Sequence, residues 1–120
     1  MIRNEPQSAL HGYPCSVVAV ASALGRLPDG TPEYLQKLKA DGYATLQIAN
    51  RFIRDNLPVK KRTDYKRGQR PKLKDLHLDG QALVCVYGHM IYLDHESYWS
   101  FFANEEDDVV TVWLLKEVSS

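Results

Sequence analysis

The run Gly12-Tyr-Pro-Cys-Ser-Val-Val-Ala-Val-Ala-Ser-Ala-Leu-Gly25 contains no charged side chain, and its reading decides the fold. Pro14 stands where a helix can begin, because its φ is already helical and its missing N–H is one the first turn does not use. Gly25 supplies the stop. Between them the residues are apolar nearly all round, and Ala19, Ala21, Ser22 and Ala23 keep the surface small-sided. A helix of that kind belongs at the centre of a fold, where other backbones can pack closely against it.

Outward from this helix, Thr31 can cap a second one running through Pro32 to Lys39 and ending at Asp41-Gly42. Its polarity predicts a surface position. A third helix is predicted from Thr45 to Asn56, where Leu46, Ile48, Ala49, Phe52, Ile53 and Leu57 recur on one face and Pro58 blocks continuation. Val59 to Tyr65 reads as a charged edge strand, and a short helix is expected near Pro71 to Leu76. The last third changes character. Ala82–Tyr87, His89–Leu93, Tyr98–Phe102 and Val109–Leu115 are rich in β-branched and aromatic residues, and turn-forming residues separate them. Helices first and strands afterwards predict an α+β fold, with the N-terminal helix packed on a C-terminal antiparallel sheet.

A chain of 120 residues supports one ordinary core, so residues 1–120 are read as a single domain. Its 44% hydrophobic and 25% charged residues are those of a soluble globular protein. No run approaches the roughly 18 apolar residues that cross a bilayer, and the first residues lack a secretory pattern, so no membrane association and a cytoplasmic location are expected. Formal net charge is +0, but the basic residues crowd between Arg51 and Lys74 while Glu105, Glu106, Asp107 and Asp108 form one acidic block. The two could serve different partners. Zero net charge and the lack of a recognised module argue against nucleic acid. The four histidines show no paired ligand spacing and no glycine-rich phosphate loop is present, so no metal or other cofactor is expected.

With two cysteines there is no disulfide framework, and free thiols are expected. Cys85, between Val84 and Val86, reads as core. Cys15 falls at the first turn of the buried helix, where unpaired N–H groups and the positive end of the helix dipole favour a thiolate. The same N–H groups could hold an oxyanion when the sulfur attacks a carbonyl. His89 opens a strand immediately after Gly88, where a missing Cβ leaves room for a ligand or a helix end. If 94–97 forms the hairpin turn, Leu93 faces Tyr98 and His89 faces Phe102, which puts Ser100 and Asn104 diagonally on the His89 face. Of these, Asn104 is expected to orient the ring, because its amide oxygen can accept from a ring N–H. Asp94 lies at the far end of the strand and is excluded.

Gly12 to Ala21 resembles the cysteine-bearing helix start of papain-like cysteine peptidases, the compact C39-like peptidase group in particular. Tyr43 to Ile53 resembles a later helix of those domains, Leu73 to Gly88 their entry to the sheet, and Gly88-His-Met-Ile-Tyr-Leu93 their Gly-His strand, so nearly the whole chain is covered. Pro14 and Ser16 depart from the residues usual around the family's cysteine. The resemblance implies Cys15 as nucleophile, His89 as general base and Asn104 as orienter, with Gln7 as the oxyanion glutamine and His11 as its alternative. The expected function is thiol-dependent hydrolysis or acyl transfer at a peptide or isopeptide bond of a protein or peptide substrate. The alternative is a catalytically inactive papain-like fold that binds a protein partner as a regulator or inhibitor, of the kind a phage encodes.

Overall fold

A computed structural model describes residues 1–42 and 46–116. The buried helix predicted from the uncharged run is α1 (Cys15–Leu24), closed by Gly25 at φ 73°, whose N–H bonds the Ala21 carbonyl. The left-handed φ is the reason a glycine stands there. Helix α2 spans Thr31–Asp41 and α3 spans Leu46–Asn56. Thr31 is the first residue of α2 and not its cap; its hydroxyl donates to the Pro28 carbonyl at 2.6 Å. The expected start of α3 at Thr45 lies outside the described residues.

Six strands form one sheet: β1 (Ile2–Asn4), β2 (Val59–Asp64), β3 (Gln81–Val86), β4 (His89–Asp94), β5 (Ser97–Trp99) and β6 (Val109–Leu115). Their spatial order is β1-β5-β4-β3-β6-β2. The α+β class is therefore as the element order predicts, but the sheet is mixed. The N-terminal Ile2–Asn4 pairs parallel with β5, whereas all other pairings are antiparallel. Three residues with an exposed isoleucine carry too little alternation to announce a strand.

Both faces of the sheet are covered, by different material. On one side Leu83, Met90, Tyr92, Trp113 and Leu115 meet α1 and α3 through Val17, Val20, Phe52 and Ile53. Burying each such side chain contributes on the order of 1.5–3 kcal/mol. The Trp113 indole N–H donates to Asn50 Oδ1 at 2.7 Å, which fixes α3 to the sheet without leaving a buried donor unpaired. On the other side Ala82, Val84, Val86, Ile91, Leu93 and Val112 are covered by Leu73 and Leu76 from a largely irregular segment. That segment is tied down by backbone bonds: Tyr65 N–H to the Val110 carbonyl, Val109 N–H to Pro71, and Leu73 N–H to Asp107.

The acidic block and part of the basic stretch meet each other. Lys72 Nζ lies 2.7 Å from Asp108 Oδ1 and Lys74 Nζ lies 2.6 Å from Glu106 Oε1, so these four charges are not two separate surfaces. Among the described residues no helix is long and apolar enough to cross a membrane.

Candidate active site

Cys15 is the first residue of α1, and Pro14 before it provides no side-chain cap. The first bond of the helix is from Val18 N–H to the Pro14 carbonyl at 3.1 Å, so the amides of Cys15, Ser16 and Val17 have no intrahelical acceptor. The thiol is half-buried and lines a cleft of about 330 Å³ together with Ser16, Tyr34, Cys85, Gly88 and His89. Gly88 forms the turn between β3 and β4 at φ 80°, a conformation that favours glycine.

His89 is half-buried. Burial lowers its pKa from the ordinary imidazole value, partly opposed by the charge of Asp107, so the ring is neutral at pH 7. Its Nε2 lies 2.6 Å from Ser100 Oγ, and that oxygen also accepts from Phe102 N–H at 3.1 Å. Polarity matters here. With Nε2–H donating to Oγ, Nδ1 is unprotonated, the form a general base requires; with Ser100 donating, the proton sits on Nδ1.

Asn104 does not orient the ring. Its side chain is exposed, and Oδ1 accepts from Glu106 N–H at 2.9 Å within its own loop. The hairpin register does pair Leu93 with Tyr98, but β5 ends at Trp99. The chain then bends at Phe101 and Phe102, so extrapolating a straight strand to 104 overshoots. Ser100, the nearer of the two residues on that face, makes the contact. Asp94 is at the opposite end of β4 and bonds His95 Nδ1 at 2.6 Å.

Thiol and imidazole share the cleft, but no hydrogen bond joins them among the described residues. Alternation along β4 gives the reason. Met90 and Tyr92 pack on the helical side, Ile91 and Leu93 on the other, and His89 is paired with Val86 of that second set. The ring therefore leaves the strand toward Ser100 at the rim of the cleft instead of directly toward α1.

Gln7 is exposed, precedes a short 3-10 turn at Ser8–Leu10, and does not line the cleft. His11 stacks on Phe101 with ring centroids 3.9 Å apart. Neither supplies a donor beside Cys15. The polar groups that do lie there were not singled out by sequence: the Ser16 and Tyr34 hydroxyls bond each other at 2.5 Å, and Tyr34 stacks on Phe52. Burial raises the Tyr34 hydroxyl pKa, opposed by the Ser16 bond and raised further by Cys15. Residues 16 and 34 belong to different helices, and no spacing rule connects them. Cys85 is pushed up to about 11, mainly by burial, and stays a thiol at neutral pH.

Among the described residues no group of three or more His, Cys, Asp or Glu side chains is placed to hold a metal ion. No protein-family model, no curated protein and no solved structure matches this chain.

Proposed function

We propose that this protein is a papain-like, thiol-dependent acyl-transfer enzyme that cleaves a peptide or isopeptide bond, with Cys15 as nucleophile and His89 as base. The observation that carries the reading is the convergence of Cys15, at an uncapped helix start, and His89, a neutral imidazole, on one cleft. The sulfur attacks the carbonyl carbon as its proton passes to Nδ1. The amides at the start of α1 face the oxyanion that forms. The imidazolium returns the proton to the leaving amine, and water then releases the acyl group from sulfur. Ser100 holds Nε2 in the resting protein, and the ring leaves that position for Nδ1 to take the thiol proton.

A second reading rests on a specific observation as well. No hydrogen bond joins the thiol to the ring among the described residues, and a neutral serine stands where the Asn104 amide was expected. This favours an inactive papain-like fold that presents the cleft to a protein partner. Iodoacetamide labelling followed by peptide mapping separates the two. In an enzyme, Cys15 labels rapidly near neutral pH, His89→Ala slows that labelling, and Cys85 is protected until unfolding. If Cys15 reacts no faster than an ordinary exposed thiol and His89→Ala changes nothing, the enzyme reading fails.

A further inference from the structure

A second cleft, of about 490 Å³, is lined by Arg67, Gly68, Arg70, Tyr87 and Asp108. It is a built feature. Gln69 N–H bonds the Lys66 carbonyl at 2.9 Å, closing a turn in which Gly68 takes φ 89° and Arg67 sits at the corner. Tyr65 N–H bonds the Val110 carbonyl and Val109 N–H bonds the Pro71 carbonyl, so both ends of this segment are anchored to strand β6, and Tyr87 N–H bonds the Asp108 carbonyl at 3.0 Å.

Its charges are unbalanced. Neither Arg67 nor Arg70 has a carboxylate partner among the described residues, and the carboxylate that lines the cleft, Asp108, is already engaged by Lys72 at 2.7 Å. Arg70 Nε is the buried side-chain nitrogen left without an acceptor among the described residues. A buried unmet donor costs on the order of 1–3 kcal/mol, and an orphan of this kind calls for an explanation. A guanidinium recognises phosphate side-on through Nε and one Nη together, and turning Arg70 into the cleft satisfies that pair at once. Beside the two cations the Tyr87 ring is 77% exposed, a flat apolar face at a turn, with nothing stacked on it among the described residues.

We propose that this cleft binds one nucleotide unit, with its phosphate on Arg67 and Arg70 and its base stacked on Tyr87. The size of the cleft and the zero net charge of the chain fit a single unit and not a long nucleic-acid track. A free nucleotide and one nucleotide of a single strand share this chemistry. The proposal is independent of Cys15 and His89, neither of which lines the cleft.

Arginine Nε–H resonances of the 120-residue chain are followed by nuclear magnetic resonance as inorganic phosphate, adenosine monophosphate, a short oligothymidylate and an acidic peptide are each added. The expected result is a saturable shift of the Arg70 Nε–H signal with either nucleotide ligand, tighter than with inorganic phosphate by about tenfold or more because the base stacks. Oligothymidylate binding more tightly than the mononucleotide identifies a strand as the source; the reverse identifies the free nucleotide. Arg67→Ala/Arg70→Ala, followed through the backbone amide signals of Tyr87 and Asp108, abolishes binding, and Tyr87→Ala removes the nucleotide's advantage over phosphate while leaving phosphate binding intact. All three positions are half-buried or exposed, so these variants are expected to fold, which the amide spectrum reports directly. The proposal is overturned if no ligand shifts Arg70, if the acidic peptide binds as tightly as the nucleotides, if the nucleotides bind no better than phosphate, or if the variants bind like the parent.

Discussion

The helical face of the sheet and its loop-covered face bury apolar surface to a similar depth, but they are held differently. On the helical face, α1 and α3 set Val17, Val20, Phe52 and Ile53 against Trp113 and Leu83. On the other, Leu73 and Leu76 descend from a segment whose only regular piece is the turn Leu73–Asp75, and whose position depends on backbone bonds to the chain around 107–110. Regular elements fix many side chains at once, whereas an irregular segment places a few anchors and can relax around the loss of one. Core depth alone therefore does not set the cost of a substitution.

The largest expected effect follows from that contrast. Trp113 is fully buried and its indole N–H is bonded to Asn50, so Trp113→Ala removes a large ring and leaves Asn50 without its partner. We expect a loss of about 3–5 kcal/mol, read as a lowered urea midpoint. Leu73 is also fully buried, but the segment that carries it can close partly over the cavity. Leu73→Ala is expected near the lower end of the usual range, about 2 kcal/mol. An equal or larger loss at Leu73 would show that the loop-covered face is as rigid as the helical one.

The same contrast explains what could be read in the sequence. The uncharged run ending at Gly25 gave α1 almost to the residue, and helical spacing of Ala49, Phe52 and Ile53 identified the buried side of α3, because a period of 3.6 has no other common cause. Turn chemistry at Gly88 and 94–97 fixed the register of Leu93 with Tyr98. The parallel strand Ile2–Asn4 was not legible, since its pairing with β5 is a long-range event with no local pattern. The site was read in part: Cys15 and His89 reach one cleft, but the ring's partner depends on where β5 stops, and strand ends are set by tertiary contacts such as that between Ser100 N–H and the Asn4 carbonyl.

A second prediction sharpens this point at the site itself. Ser100 is 1% exposed and its hydroxyl serves both His89 Nε2 and Phe102 N–H, whereas Asn104 is exposed and bonds only within its loop. Ser100→Ala removes the hydrogen-bond partner of both the half-buried His89 Nε2 and the Phe102 N–H and should cost about 1–3 kcal/mol for the two bonds together. Asn104→Ala should stay within about 0.5 kcal/mol. Thermal or chemical unfolding of the two variants side by side tests the assignment, and a reversed order would return the orienting role to Asn104.

The smallest expected effect is the most informative about chemistry, because its sign distinguishes two arrangements of the same pair. Burial lowers the pKa of His89 below the unfolded value of about 6.5, so between those two values the unfolded chain binds more protons than the folded one. Stability contributed by the neutral ring is then present above pH 6.5 and lost as pH falls through that window. Measured by urea unfolding from pH 7.5 down to pH 5, the parent should lose stability more steeply than His89→Gln, which cannot titrate. Were the ring instead turned onto a Cys15 thiolate, the ion pair would raise its folded pKa, and the contribution would be present below pH 6.5 and lost as pH rises. A parent that gains stability relative to His89→Gln on acidification would therefore place imidazolium against thiolate and contradict the rim position bonded to Ser100. A parent that loses it keeps the ring neutral and unpaired with a thiolate, so any acyl transfer begins with the base bonded to Ser100.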